Sequence, residues 1–207
     1  MSEPVPVTPG SPGALINREL SWLSFSRRVL ALAEDPEQPI LERVKFAGIM
    51  GMICDEFAMK RIGGLFKQVR AGAHKRGPDG LTPAEVLEAC RAELRSQQES
   101  VAVLVEKELR PALSDLGVPI LDTGDLDPSQ REFLARYFAD AVEPILTPLA
   151  ADAAHPFPFI SNLGLNLAVM IAEPGQRKRR FVRIKVPASR PAGCRCRARR
   201  DGCRWSR

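Results

Sequence analysis

Histidine is the first residue type to consider for chemistry, because its pKa lies near neutral pH. The sequence contains two, His74 and His155. His74 lies in a basic, glycine-rich stretch, where we expect an exposed side chain, and His155 precedes Pro-Phe-Pro-Phe, where we expect a turn. No set of serine, histidine and aspartate can be proposed as a hydrolytic triad from this sequence without arbitrary choice. The residues alone therefore predict no catalytic group.

Phosphate-binding loops and metal-ligand patterns are also missing from the sequence. Neither G-x-x-x-x-G-K-[S/T] nor G-x-G-x-x-G occurs. Cys194, Cys196 and Cys203 do not have the spacing of a structural zinc site, so no metal ligand is predicted. Cys54 and Cys90 fall on expected helix faces, as small core residues. Five cysteines without a secretory signal favour a reducing, cytoplasmic location.

The acidic pair Asp55-Glu56, followed by Lys60 and Arg61, is the one charged cluster with a suggestive spacing. Glu56 and Lys60 are four residues apart, so on a helix they would lie on one face and form an ion pair. Such a pair is common on helix surfaces and contributes a few tenths of a kcal/mol. From the residues alone, this structural interpretation is favoured over a binding site.

The first half of the sequence has the periodicity of helices. Residues 17–34 predict a helix with one buried apolar stripe, formed by Trp22, Phe25, Val29 and Leu32. A second helix is expected from Ile40 past Asp55 to Leu65, and a loop over 72–80. Thr82 and Glu85 form a capping-box pattern that starts a long helix, with Pro111 at its end or in its last turn.

The second half predicts shorter elements. Asp127-Pro128 starts another helix, and residues 165–171 and 180–186 predict two strands joined by the turn 173–176. The basic run 177–180 flanks that turn as a solvated segment. The fold class is therefore α+β: an all-α helical bundle followed by an incomplete mixed α/β domain. We expect a flexible leader over 1–14, a helical domain over 15–117, a partial second domain over 118–187 and a disordered tail over 188–207.

The net charge of +5 is concentrated at the end of the chain. Residues 188–207 contain seven arginines and one aspartate, a charge of +6, which leaves −1 for the rest. The body of the protein therefore gives no indication of a specific nucleic-acid partner. No apolar run reaches the ~18 residues of a membrane span.

Several long strings resemble one family, the bacterial polyphosphate kinases of the long, histidine-phosphorylated type. Residues 15–30, LINRELSWLSFSRRVL, resemble the family's opening, N-R-E-L-S-W-L-x-F-N-x-R-V-L. The resemblance continues in order through LERVKFAGIM, CDEFAMKRIGGL, DGLTPAE, EPILTPLAADAAHPFPFISNLGLNLAV and RFVRIKVP. It covers about residues 15–187, and its motifs are long enough to be specific.

The resemblance implies an enzyme that reversibly transfers the terminal phosphoryl group of ATP to inorganic polyphosphate, through a phosphohistidine and with Mg²⁺. It implies a helical N-terminal domain that helps to hold the adenine of ATP. A head domain linked to dimerisation would begin near Ile120. ATP, polyphosphate and a second copy of the chain are thus the implied partners.

The family pattern S-N-L-D-E-F-F aligns with residues 52–58. The resemblance implies that this segment lies on the ATP side of the enzyme's site, and we call its matching residues the ATP-side residues. Asp55 and Glu56 match this pattern, and Arg61 matches further along, as candidate nucleotide-binding residues with a structural role as the alternative. Ile53 stands where the family has an asparagine that contacts the nucleotide. An isoleucine side chain forms no hydrogen bond, so this contact is not carried over.

The family's catalytic histidine and its metal- and phosphate-binding arginines lie in C-terminal domains beyond these residues. We therefore expect this polypeptide alone to be inactive. The arginine-rich tail is typical of GC-rich DNA read out of frame, and we expect a frameshift near residues 188–192. Two alternatives stay open: a stand-alone helical module that binds an intact subunit or, weakly, nucleotide, and a basic protein that binds RNA or polyphosphate through its tail.

Overall fold

Asn17 begins the first helix, because its side-chain oxygen accepts hydrogen bonds from the Glu19 and Leu20 amides at 3.0 and 3.1 Å. The computed structural model describes residues 11, 14–151, 156–172, 179–187 and 189. Helix α1 is Arg18–Glu34, which confirms the predicted first helix. The chain divides into two compact units, Met1–Ile120 and Leu121–Arg207, whereas the sequence-based boundary lies between residues 117 and 118.

The second predicted helix is longer than the periodicity indicates. Helix α2, Ile40–Phe57, runs through a π-helical turn, Ala58–Ile62, into α3, Gly63–Arg70. In the π turn the Gly63 amide donates to the Ala58 carbonyl oxygen, five residues earlier. Gly72, with φ of +71°, then ends the helix in a backbone conformation that glycine adopts without strain.

The capping box at Thr82 forms as predicted. The Glu85 amide donates to Thr82 Oγ1 at 3.3 Å, and the Thr82 amide donates to Glu85 Oε2 at 2.7 Å. Helix α4, Pro83–Leu104, continues through a π-helical turn, Val105–Leu109, into α5, Arg110–Asp115. Pro111 lies directly after the π turn, in the first residues of α5, and the helix continues past it to Asp115.

The buried side of α1 differs from the predicted stripe. The buried residues are Leu23, Ser26, Leu30 and Ala33. Phe25 is 55% exposed and Leu32 is 40% exposed, so the prediction was wrong for these two. Helix α1 packs against both α2 and α4, and a serine occupies the middle of its packed face. The apolar pattern alone did not indicate that a polar residue would be buried there.

Two apolar clusters form the core of the helical unit. Trp22 stacks on Phe57 at 5.0 Å between ring centroids, beside the first cluster. The first cluster consists of Leu23, Phe57, Leu65, Val86, Leu87 and Cys90. The second consists of Leu30, Ala33, Met50, Leu104 and Leu109. Their burial is the main stabilisation of the bundle.

The second unit combines a helix with a small sheet. Helix α6, Pro128–Tyr137, starts at Asp127 with a capping box to Gln130. Its last turn leads into a π turn, Phe138–Val142, and short 3₁₀ turns lie at Thr123–Asp125 and Glu143–Ile145. The strands are β1, Pro148–Ala151; β2, Asn166–Ala172; and β3, Arg179–Lys185.

The sheet is antiparallel in the order β1-β3-β2. Strand β3 therefore lies in the centre, with Val182 paired to both Ala150 and Val169. The two predicted strands and their antiparallel pairing are confirmed, each shifted by one residue. Strand β1 was missed because four residues that begin with proline carry little strand signal. The predicted turn 173–176 lies outside the described residues.

Candidate functional site

The candidate ATP-side residues occupy the end of α2 and the following π turn, but they do not converge. Asp55 and Glu56 are exposed, and Glu56 forms an ion pair with Lys60 on the same helix face. Among the described residues, the Asp55 carboxylate has no hydrogen bond or ion pair. Ile53 is half-buried and two residues from Asp55, so the two side chains leave the helix on different faces.

Arg61 faces the start of α1. Its Nη2 lies 3.5 Å from Glu19 Oε1, and Arg18 Nη2 lies 3.0 Å from the same oxygen. The Glu19 side chain is only 13% exposed. One carboxylate thus sits between two guanidinium groups and joins the π turn to α1. This placement supports the structural role that the sequence left open for Arg61.

Asn17 joins the same end of α1 to the loop before α4. Its Nδ2 donates to Asp79 Oδ2, while its oxygen caps α1. The Asp79 carboxylate also accepts the Leu81 amide at 3.1 Å. The hydrogen bond from Asn17, followed by that from Leu81, holds the pKa of Asp79 below its ordinary value. The sequence predicted only a connecting loop here, and its hydrogen bond to the start of α1 was not predicted.

Two further polar contacts order the loop. Arg76 donates from Nη1 to the Gly80 carbonyl oxygen at 2.5 Å and to Glu85 Oε2 at 2.9 Å. The Thr82 amide and hydroxyl, followed by Arg76, lower the pKa of Glu85. His74, in this loop, is exposed, as expected from the sequence, and His155 lies outside the described residues.

The two described cysteines are free thiols. Cys90 is fully buried in the first apolar cluster, which confirms its predicted core role. Burial, followed by the negative charge of Glu19, raises the pKa of Cys90 to about 11. Cys54 is half-buried, and burial raises its pKa as well. Neither thiol therefore has the low pKa of a reactive cysteine.

Polar residues inside the bundle fix the packing of α1. Ser26 Oγ donates to Gln97 Oε1 at 2.8 Å, and Gln97 Nε2 donates to the Leu23 carbonyl oxygen at 2.9 Å and to Glu93 Oε1 at 2.7 Å. Ser26 and Gln97 are 2% and 1% exposed. A buried amide with all its partners specifies one register between α1 and α4.

A cleft in the helical unit has a volume of about 350 Å³ and includes three glutamates in its lining. Its lining consists of Glu34, Ser96, Glu99, Ser100, Val103, Leu104 and Glu108. Two of these glutamates, Glu34 and Glu108, form ion pairs with Arg27 and Arg43. Within the described ranges, no group of three or more histidine, cysteine, aspartate or glutamate residues is placed to hold a metal ion.

Across the helices that the structure describes, none combines the length and apolar composition that a bilayer crossing requires.

Comparison with known families gives two consecutive matches. The model described as the polyphosphate kinase N-terminal domain matches residues 15–121, and that of the polyphosphate kinase middle domain matches residues 129–201. The second match includes residues 188–201, part of the arginine-rich segment for which a frameshift is predicted from the sequence. The reading frame of that segment stays a prediction.

Curated relatives agree with these matches. The chain is 46% identical to polyphosphate kinases of Mycolicibacterium gilvum and Prochlorococcus marinus, over 83% of this chain and 24% of each relative. It is 44% identical to that of Thermosynechococcus vestitus, over 91% of this chain and 26% of the relative. The chain thus spans about a quarter of the length of these relatives.

A solved structure shares the fold. The crystal structure of polyphosphate kinase from Porphyromonas gingivalis matches with a TM-score of 0.69 and 23% identity, over 84% of this chain and 25% of that chain. The α+β class expected from the sequence is confirmed by this neighbour. On the two family matches and the curated relatives, the chain belongs to the polyphosphate kinase family and carries its N-terminal domain and residues of its middle domain.

Proposed function

We propose that this chain is the N-terminal part of an enzyme that reversibly transfers the terminal phosphoryl group of ATP to inorganic polyphosphate through a phosphohistidine. The observation that carries the proposal is the ordered match of two adjacent polyphosphate kinase domains over residues 15–121 and 129–201. The relatives' name supplies the enzyme class, at up to 46% identity. The free thiols Cys54 and Cys90 suit a reducing cytoplasm as the place of this reaction.

Within this enzyme, the exposed end of α2 is proposed to face the base end of ATP. Asp55 and Glu56 are exposed there, and carboxylate oxygens accept hydrogen bonds from an amino group such as that of adenine. The same carboxylates repel phosphate, so the triphosphate must lie elsewhere. Mg²⁺ is proposed as a cofactor of the whole enzyme together with ATP, and this chain alone is proposed to require none.

Two further proposals concern pairing through the second unit and the activity of the chain alone. The second unit, from Leu121, is proposed to pair with a second copy of the chain, as the family's head domain implies. The 207-residue polypeptide is proposed to be inactive alone, because it spans about a quarter of the relatives' length. Addition of the purified chain to ATP and polyphosphate should then give no detectable change in polymer length.

A chimeric enzyme tests the proposed function. Residues 15–187 replace the matching segment of the Mycolicibacterium gilvum polyphosphate kinase, and ATP-dependent polyphosphate synthesis is measured. The parent enzyme and the parent with this segment deleted are the controls. We expect the chimera to restore the activity that the deletion removes. A folded chimera without activity, together with binding of the 207-residue chain to an intact subunit, would instead support an interaction module.

A further inference from the structure

Strand β2 forms one edge of the small sheet, because β3 lies in the centre of the order β1-β3-β2. The Val186 amide donates to the Leu165 carbonyl oxygen at 2.9 Å, which identifies these two opposite residues as a hydrogen-bonded pair. Such pairs alternate along antiparallel strands, and the register between β2 and β3 runs without a break from Asn166 to Ala172. The backbone N–H and C=O groups of the even-numbered residues of β2 therefore point away from β3.

These outward backbone groups of β2 are open within the part of the chain that the structure describes. Ala168, Met170 and Ala172 are exposed, and none of the described backbone hydrogen bonds outside the sheet involves them. Natural proteins protect a free edge with charged residues, proline or a bulge, and β2 has none of the three. An uncharged edge of seven residues is thus a template for a further strand.

The opposite edge of the sheet, formed by β1, is better protected. Strand β1 has four residues and begins with Pro148. By the same alternation, Leu149 and Ala151 form the hydrogen-bonded pairs with β3, whereas Pro148 and Ala150 point outward. Because proline has no backbone N–H, this edge lacks one of its outward donors. A further strand is therefore expected on β2 and not on β1.

We propose that β2 pairs with β2 of a second copy of the chain, antiparallel about a two-fold axis at Val169. The inference rests on the pairing of the second unit proposed above, and it names the surface that pairs. In this register Ala168 lies opposite Met170 of the partner, and Asn166 lies opposite Ala172 of the partner, so the outward backbone groups of both strands are matched. Two three-stranded sheets then form one continuous sheet, of a size common in globular proteins.

The side chains of β2 are self-complementary in this register. Leu167 lies opposite Ile171 of the partner, and Val169 lies opposite its own copy. These are non-hydrogen-bonded pairs, in which side chains across the strands are closest. Leu167 is 52% exposed and Ile171 is 47% exposed in the single chain, so pairing covers apolar surface, and β2 brings no charge to the axis. A second copy is favoured over an unrelated peptide, because one symmetric contact satisfies both edges at once.

Molar mass in solution tests the pairing. The full 207-residue chain is measured by sedimentation equilibrium over a range of concentrations, beside the variants Ala168→Pro and Ala150→Pro. Ala168→Pro removes an outward N–H from β2 and leaves the ladder with β3 intact. Ala150→Pro makes the same change at the outward side of β1 and is the matched control.

We expect the parent chain and Ala150→Pro to form dimers, and Ala168→Pro to remain monomeric over the same concentrations with an unchanged circular dichroism spectrum. A parent chain that is monomeric throughout would overturn the proposal. Dimerisation that both proline variants weaken equally, or that Ala168→Pro does not weaken, would overturn it as well.

A cysteine at the axis tests the register without relying on the proline variants. In a chain whose three cysteines within residues 188–207 are changed to serine, Val169→Cys places two thiols opposite each other, at a Cα separation that a disulfide can span. Leu167→Cys is the control, because it lies opposite Ile171 of the partner. We expect mild oxidation to join the Val169→Cys chains several-fold faster than the Leu167→Cys chains, and equal rates would contradict the proposed register.

The chimera measures the proposed function separately from this pairing. An active chimera together with a monomeric 207-residue chain overturns only the β2 pairing. An inactive chimera together with a dimer that Ala168→Pro dissociates overturns only the proposed function.

Discussion

Arg43, a buried residue of α2, donates from its Nε a 2.8 Å hydrogen bond to the Ala33 carbonyl oxygen in the last turn of α1. The last carbonyl groups of a helix have no partner within it and carry the negative end of its dipole, so a guanidinium is well suited to satisfy them. The same Arg43 forms a 2.5 Å ion pair with Glu108 in the π turn after α4. One side chain therefore connects three segments of the bundle.

The two partners of this ion pair should contribute unequally to stability. Arg43→Met is expected to lower the free energy of unfolding by about 2–3 kcal/mol, because buried carbonyl groups lose their donor. Glu108→Gln should cost less than about 1 kcal/mol, because surface ion pairs contribute little; the Glu108 side chain is 52% exposed. Urea unfolding followed by Trp22 fluorescence, in a Trp205→Phe background, measures both. Equal losses from the two changes would contradict this division.

The buried pair Ser26 and Gln97 should show coupling. Ser26→Ala leaves Gln97 Oε1 buried without its donor and is expected to destabilise the bundle by about 1–3 kcal/mol. Gln97→Met alone leaves the Ser26 hydroxyl and the Leu23 carbonyl without that partner. The double variant Ser26→Ala/Gln97→Met should cost less than the sum of the single changes, because no half-satisfied pair remains. Strictly additive losses in the same unfolding assay would show that the hydrogen bond does not couple α1 to α4.

Asp79 should make the bundle sensitive to acid. Its pKa is held below the ordinary value of 3.8 in the folded chain, mainly by Asn17. The unfolded chain therefore binds more protons in this range, so stability is present above about pH 4 and is lost as the pH falls through the folded pKa. In the Asp79→Asn variant, the urea concentration at the unfolding midpoint should fall less steeply as the pH is lowered from about 5 to about 2. Asp115→Asn is the control. If this variant showed the same weaker pH dependence, the Asn17–Asp79 contact would not be the cause of the acid sensitivity.

The described cysteines should differ in their rates of alkylation. Cys90 is fully buried with a pKa of about 11, so it should react only when the bundle opens. Cys54 is half-buried and should react faster, although its raised pKa keeps it slow near pH 8. Peptide-resolved mass spectrometry after timed iodoacetamide treatment measures both rates. Faster reaction of Cys90 than of Cys54 would mean that the first apolar cluster is not packed as described.

Local signals predicted the element starts well. Thr82 and Asp127 each form the cap that the neighbouring residues indicated, because both partners lie within three residues. The buried stripe of α1 was not predictable in this way. Ser26 is buried because of Gln97, which is 71 residues away in sequence. Strand β1 likewise depends on β3, more than 25 residues later, and has little strand preference of its own.

In the candidate site, too, a contact between near neighbours in sequence was predictable, whereas a contact between distant residues was not. The ion pair of Glu56 with Lys60 follows from helix spacing and was expected. The contact of Arg61 with Glu19 joins segments far apart in sequence, so spacing did not reveal it. The Asn17 and Arg43 contacts lie at the two ends of α1, and neither was predicted from spacing. Asn17 in NREL caps α1, and Arg43 in LERVKF closes its other end.

Ile53 gives a prediction for the ATP-side proposal. In the chimera described above, Ile53→Asn restores a side chain that donates and accepts hydrogen bonds, and it should lower the KM for ATP several-fold with little change in kcat. Ile53→Val, which adds no polar group, is the matched control. A KM that is equal in the three proteins would mean that position 53 does not contact the nucleotide.

The rate of polyphosphate synthesis by the chimera tests the central claim most directly. If residues 15–187 are a functional N-terminal segment of a polyphosphate kinase, the initial rate should lie within about tenfold of the parent, a barrier change of less than about 1.4 kcal/mol. The parent with the segment deleted should show no synthesis. A soluble, folded chimera with a rate equal to that of the deletion would contradict the account.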